Sequence, residues 1–287
     1  MVSSACRRAA VHELQNQRGY SERRACALIG CPRSTAQYRF KRTTDLRLLT
    51  LLHQLVEENR RSGYRKLHFI LRRDHAISMN HKRFYRIYRT AELQVRRRKK
   101  RHARYVRGAT SPAVMAPNER WSMDFVHDTL ANGRSVRLLT VIDDFTAESI
   151  AIEIDSSLPA RRVIRVLEQL AAERGYPATV KFDNGPEFSS LAMLKWGAEK
   201  NVKLHFIDPG KPTQNGKIES FNGRLRDEVL NEHWFLTMDQ IRATVEEWRI
   251  RYNTHRPHGS LKYLTPAEFA QQYREGLKNT RPQFEAA

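Results

Sequence analysis

The chain has 287 residues and carries 51 Lys and Arg against 31 Asp and Glu, a net charge of +20. Such an excess favours a polyanion, because each cation that neutralises a backbone phosphate releases condensed counterions. No run of 18 apolar residues and no charged leader followed by an apolar stretch occurs, so neither a membrane span nor a secretory signal is expected, and a cytoplasmic location is. The three cysteines, Cys6, Cys26 and Cys31, are odd in number and lack a CxxC pair. Neither a disulfide framework nor a four-ligand zinc site follows, and small buried thiols in a helical core are expected.

Residues 1–42 read as a small helical unit. Val11 and Leu14 mark a first helix, Ser21 caps a second running through Ala25, Leu28 and Ile29, Gly30 turns the chain, and a third begins at Ser34. Helix, Gly-containing turn, helix is the arrangement that places a second helix in the major groove of DNA. Arg33, Ser34, Thr35, Gln37 and Arg39 are then the residues that face the duplex.

Residues 43–93 form a second helical unit. Leu48, Leu49, Leu52, Leu55 and Val56 line one helix, Leu67, Ile70 and Leu71 the next, and Phe84, Ile87 and Tyr88 a third begun after Asn80. That third helix also carries Lys82, Arg83, Arg86 and Arg89. Residues 94–116 are a basic linker or arm holding Arg96, Arg97, Arg98, Lys99, Lys100 and Arg101, with Arg104 and Arg107 beyond. It is too charged to pack and suited to tracking a phosphate backbone.

Ser111, Pro112 and Pro117 precede a change of pattern. Strands are expected over 121–128, 136–143 and 147–154, then helix 160–174, strand 178–183, helix 189–200, strand 202–206 and helix 215–231. Three consecutive strands followed by alternation imply an α/β fold with a mixed sheet, antiparallel first and parallel afterwards, covered by helices. The order is similar to the ribonuclease H-like fold. This core spans residues 117–235, and residues 236–287 form a C-terminal helical extension.

Three acids stand out: Asp124 in WSMDFV, Asp183 in KFDNGPEF and Glu219 in QNGKIESFNGRLRDE. The first two lie on or just after strands. The third lies on a helix whose buried stripe is Ile218, Phe221, Leu225 and Val229, so that Glu219, Asn222 and Arg226 share a neighbouring face. Three carboxylates delivered by separate rigid elements suit hard divalent cations and can hold two of them about 3.5–4 Å apart for phosphodiester chemistry. An Asp inside a strand is costly unless a cation or donor compensates it. Asn184, Gly185 and Pro186 form a turn that leaves Asp183 at the rim of the sheet. Lys217 and Arg224 share a further face of the helix, either holding phosphates of the scissile strand or forming an ordinary solvated surface. Asp143 and Asp144 in VIDDFT, together with Asp128 and Glu187, rival the chosen three. A glycoside hydrolase also pairs carboxylates, but it has no use for a basic arm or for two helical DNA-reading units.

With 58 residues between Asp124 and Asp183 and 35 between Asp183 and Glu219, the segments DNGPEF and QNGKIESFNGRLRDE resemble the D-D-E catalytic core shared by retroviral integrases and many bacterial transposases. GYRKL in the helical region, and YNTHRPHGSL followed by Thr265 and Pro266, narrow the resemblance to the insertion-sequence-three family, specifically the product of its second reading frame. The resemblance implies a bacterial, nucleoid-associated transposase, a metal-dependent polynucleotidyl transferase with endonuclease activity. It would bind insertion-element ends, cleave a strand and transfer the freed 3′-hydroxyl to target DNA. Asp124, Asp183 and Glu219 would be both the catalytic and the metal-ligating residues, holding two Mg2+ ions with Mn2+ as a substitute. Double-stranded DNA, further copies of the chain in a homo-oligomer, and the upstream reading-frame product are the implied partners. A catalytically inactive DNA-binding regulator is the alternative, which the intact acid trio disfavours. Asn253, Arg256 and His258 either contact DNA or pack the C-terminal helix.

Overall fold

The structure is a computed structural model describing residues 3–38, 46–95, 113–183, 185–208 and 212–280. The chain divides by its contacts into residues 1–51 and residues 52–287. In the first division, α1 (Ser4–Arg18) and α2 (Glu22–Ile29) each begin at a serine whose hydroxyl accepts a backbone N–H two or three residues into the helix, and each ends at a glycine. Gly19 and Gly30 have φ of 65° and 62°, a left-handed conformation that glycine adopts without a Cβ penalty. The third helix, α3 (Arg33–Ala36), is a single turn, shorter than the expected run to Arg39, which lies outside the described residues. Val11, Ala25, Cys26, Cys31 and Ala36 form the core, so two of the three thiols are buried as expected and Cys6 is exposed.

Helix α4 (Leu46–Glu58) is followed by α5 (Tyr64–Asp74) and α6 (His81–Thr90). Asn80 caps α6, its side chain accepting the Lys82 N–H at 2.8 Å. Phe84 and Tyr88 are buried while Lys82, Arg83, Arg86 and Arg89 face solvent. The basic arm from Arg96 to Arg101 lies outside the described residues.

The core sheet has strands β1 (Arg120–Thr129), β2 (Ser135–Asp143), β3 (Ser149–Asp155), β4 (Thr179–Phe182) and β5 (Lys203–Phe206), in the order β3-β2-β1-β4-β5. The β1–β2 and β2–β3 pairs are antiparallel, and the β1–β4 and β4–β5 pairs are parallel, as the pattern of strands and helices implies. Helices α7 (Ala160–Arg174) and α8 (Leu191–Glu199) separate the parallel strands. Alternation in β1 and β2 gives the sheet two apolar faces. Trp121, Met123, Leu139 and Val141 meet Val163, Leu167 and Trp196 of α7 and α8, whereas Val126, Val136 and Leu138 meet Leu225, Val229, Ile241 and Val245.

The expected helix 215–231 is three pieces: a 3₁₀ turn Pro212–Asn215, α9 (Gly216–Leu225) and a π turn Arg226–Leu230. The buried stripe Ile218, Phe221, Leu225 and Val229 holds throughout, and the wider π turn brings Leu230 to the core as well. Helices α10 (Met238–Thr254) and α11 (Pro266–Thr280) complete the chain. Among the described residues, no helix is long and apolar enough to cross a membrane.

Candidate active site

Period-two alternation puts Ser122, Asp124 and Val126 on the sheet face covered by α9. The parallel β1–β4 register pairs Arg120 with Thr179, Trp121 with Val180 and Ser122 with Lys181. Carried two residues onward, the same offset sets Asp124 level with Asp183 on the adjacent chain, and neighbouring strands lie about 4.8 Å apart. Behind the two aspartates the aromatic rings are interleaved. Phe188 stacks on both Phe125 and Phe182 with centroids at 4.8 Å, so one ring braces the residue after Asp124 and the residue before Asp183.

Helix α9 supplies the third acid. Asn222 donates through Nδ2 to Asp124 Oδ2 at 2.8 Å, while its Oδ1 accepts the Thr140 hydroxyl at 2.8 Å. Thr140 stands directly opposite Asp124 in the β1–β2 register. Glu219 is one turn before Asn222 on the same face, and it is the acid in the first turn of α9. Asp124 feels the negative charge of both Asp183 and Glu219. Its carboxyl is pushed up to about 6, first by burial and further by these two neighbours, although the Phe125 N–H and Asn222 pull the other way. Burial also raises Glu219, which still faces solvent.

The two aspartates are each held by a local donor: Asp124 Oδ1 accepts the Phe125 N–H at 2.8 Å and Asp183 Oδ1 accepts the Gly185 N–H at 3.1 Å. A Cβ at Gly185 would meet that same oxygen at 3.1 Å, so the bare backbone is what lets the turn approach. Among the described residues, no three acid, histidine or cysteine side chains are grouped so as to hold a metal ion. The donor set nevertheless fits a hard cation: all its atoms are carboxylate oxygens, and the mutual repulsion expressed at Asp124 is what such a charge relieves.

The rival acids have other partners. Asp143 accepts the N–H groups of Asn118, Phe145 and Thr146 and so organises the β2–β3 turn. Asp144, fully buried, pairs with Arg120, lies 3.7 Å from the ammonium of buried Lys181 and accepts the Ser122 hydroxyl at 2.8 Å. Glu187 pairs with Arg137, whose guanidinium also sits 4.3 Å from the Phe125 ring. Asp128 accepts the neighbouring Thr129 N–H.

Of the basic residues chosen from sequence, Lys217 donates to the Asp144 carbonyl and Arg224 lies beside the Tyr252 phenol. Arg33 and Gln37 both bond Glu22, and Ser34 is exposed. Asn253 ties α10 to β3: its amide accepts from the Ser149 N–H and donates to the Ser149 carbonyl, both at 2.9 Å. Asn222 carries a sequence signal, since it follows Glu219 by three residues; Thr140 and Arg137 carry none.

The integrase core domain family model matches residues 115–212, a second integrase core domain model matches 200–266, and an HTH-like domain model matches 43–101. The chain is 49% identical over 255 residues to the insertion element IS407 uncharacterized 31.7 kDa protein of Burkholderia multivorans, covering 88% of this chain and 92% of that protein. It is 28% identical over 260 residues to the putative transposase InsK for insertion sequence element IS150 of Escherichia coli, covering 84% and 90%. Among solved structures, the simian T-cell lymphotropic virus intasome in complex with the PP2A regulatory subunit B56 gamma is similar in fold, with a TM-score of 0.50 at 17% identity over 82% of this chain and 76% of that one.

Proposed function

We propose, from the premise that this chain belongs to the integrase-core transposases of insertion elements, that Asp124, Asp183 and Glu219 are its catalytic acids and that they cleave element-end DNA and transfer the 3′ end to a target strand. What supports this reading is the meeting of three elements: the β1–β4 register sets Asp124 level with Asp183, and Asn222, one turn after Glu219 on α9, bonds Asp124 Oδ2 at 2.8 Å. These three side chains would hold Mg2+, as a pair of ions or with Mn2+ in its place. Bound there, the metal would supply Lewis-acid stabilisation of charge on the phosphodiester oxygens.

The remaining work belongs to the protein's own groups. Asn222 holds Asp124 Oδ2 in one orientation, and Thr140 holds Asn222. Asp124 sits near its ionisation point at pH 6, so above that pH it is the anion that a cation needs. Residues 1–42 and 43–93 are read as DNA-gripping units, with Arg33, Ser34, Gln37, Lys82, Arg83 and Arg86 toward the duplex and the arm from Arg96 to Arg101 along its phosphates. Residues 117–235 are read as the chemical core and residues 236–287 as its extension. Joining two element ends to one target calls for at least two copies, and the upstream reading-frame product is a candidate partner.

The test is an end-cleavage and joining assay on labelled element-end duplex with Mg2+. Glu219→Gln should bind the duplex as wild type does and lose nicking and joining by at least about a hundredfold, the scale on which removing one preorganised group slows a reaction. Equal cutting by the two proteins refutes the assignment.

A further inference from the structure

A second cluster of charge lies where α5 meets the C-terminal half of α9 and the loop after α10. Lys66 on α5 is half-buried, and its ammonium has no hydrogen bond or ion pair among the described residues. Two further cations are near enough to repel it, Arg224 of α9 and Arg256 of the loop after α10. Among the described residues, Glu228 is the one acid acting on Lys66; it is paired with Arg256 and also accepts the Trp248 indole N–H at 3.0 Å. Tyr252 forms the floor, with Arg224 beside its phenol and the His258 ring edge-on at 4.7 Å. His258 is 5% exposed, and its Nε2 is buried without a partner, as is Nε of Arg256.

Three cations therefore face one carboxylate across a partly desolvated space. Like charges brought together out of water repel, and a fold retains such a cluster at a cost unless an anion completes it. Burial first, then Arg256 and Arg224, lower the Lys66 ammonium to about 8, with Glu228 acting the other way.

We propose that Lys66, Arg224 and Arg256 form a binding site for a DNA backbone phosphate. The inference rests on the DNA-joining function above and names a contact that function does not specify. The choice of DNA follows from three things: the net charge of +20, the HTH-like family match that contains Lys66, and the position of Arg224 five residues beyond Glu219 on one helix. A phosphate seated here ties the helical unit that carries Lys66 to the helix that carries Glu219, so that gripping the duplex also braces a catalytic acid.

The experiment measures affinity for labelled element-end duplex in the absence of divalent cations, between about 50 and 200 mM salt, where each phosphate contact contributes about 0.9 to the slope of log affinity against log salt. Lys66→Met should lower that slope by about one while folding at least as well as wild type, because it removes an unpaired charge; Lys66→Arg should restore the slope. Inorganic phosphate, compared with chloride at equal ionic strength, should raise the melting temperature of wild type by more than that of Lys66→Met. An unchanged slope in folded Lys66→Met, or equal phosphate stabilisation of both proteins, overturns the proposal. An acidic protein segment as the true occupant would appear as that unchanged slope. Failure of wild type to bind the duplex at all would instead sink the functional reading, and loss of cutting in Glu219→Gln is independent of either result.

Discussion

Replacing Asp124 with Asn removes a charge that the fold holds against its preference. The folded carboxyl sits near 6 against an ordinary 3.8, through burial first and the repulsion of Asp183 and Glu219 after it. About two pH units at 1.36 kcal/mol each amount to about 3 kcal/mol. The native state binds this proton more tightly than the unfolded chain does, so the native state loses stability as pH rises from about 4 to about 6 and the loss persists above that. Asp124→Asn escapes it. The surrounding hydrogen bonds accept the change: if the Asn222 amide turns over, its oxygen accepts from the introduced NH2, its NH2 donates to Thr140 Oγ1, and the one Thr140 hydroxyl proton goes to the Asp124 carbonyl, already 3.1 Å away. Paired urea titrations without divalent metal should find the two proteins nearly equal at pH 4, with the variant more stable by about 3 kcal/mol at pH 8. Strand joining should be lost. A stability difference that is flat with pH, or a wild type that is the more stable protein at pH 8, refutes the reasoning.

Three further changes test neighbouring groups. Asn222→Ala removes the donor that helps keep Asp124 ionised and leaves Asp124 Oδ2 without that partner, while the Thr140 hydroxyl keeps the Asp124 carbonyl; about 1–3 kcal/mol of stability should be lost, and the acid limb of the pH profile for nicking should move to higher pH. Asp144→Asn breaks the pairing with Arg120 and Lys181 and leaves the Lys181 ammonium, 2% exposed, donating to the Gln214 carbonyl. Loss of one member of a buried ion pair costs about 3–5 kcal/mol, readable as a lower urea midpoint with an unchanged slope. His258 is pushed down to about 3 by burial and by Arg224, Arg256 and Lys66. Its neutral form contributes stability that is present above about pH 6.5 and lost as pH falls toward 3. His258→Phe should therefore flatten the fall in melting temperature across that range, measured in phosphate-free buffer.

The three proposed catalytic acids are legible in the sequence because each is fixed by a short-range rule. Alternation along WSMDFV assigns Asp124 to the face shared with Ser122 and Val126. The turn after KFD leaves Asp183 at a strand end, and helical spacing around Ile218 and Phe221 turns Glu219 and Asn222 to one side. The order and direction of the strands follow from the same local signals. The boundaries do not: the π turn at Arg226–Leu230 shifts the helix without interrupting its apolar stripe, so spacing alone cannot reveal it. VIDDFT is equally ambiguous in one dimension. Nothing near Asp143 or Asp144 announces that one will gather the backbone N–H groups of a turn and the other will meet Arg120 and Lys181 inside the sheet.

What escapes the sequence also has a common role. Thr140 and Asn222, partners across 82 residues, tie β2 and α9 to Asp124. Lys217 bonds the Asp144 carbonyl, and Lys181 bonds the Gln214 carbonyl at 2.7 Å, so both fasten the start of the segment that bears Glu219. Arg137 and Glu187, 50 residues apart, fasten the turn after Asp183. Each acid thus has a tether from another element. A ligand must present a particular atom to a metal, which restricts it to a few residue types and makes a motif. A tether needs only some donor opposite some acceptor at the right distance, and that requirement is met by pairs whose identity is set by the fold. The acids can therefore be read before the structure is known, whereas, Asn222 apart, the groups that aim them can be read only from it.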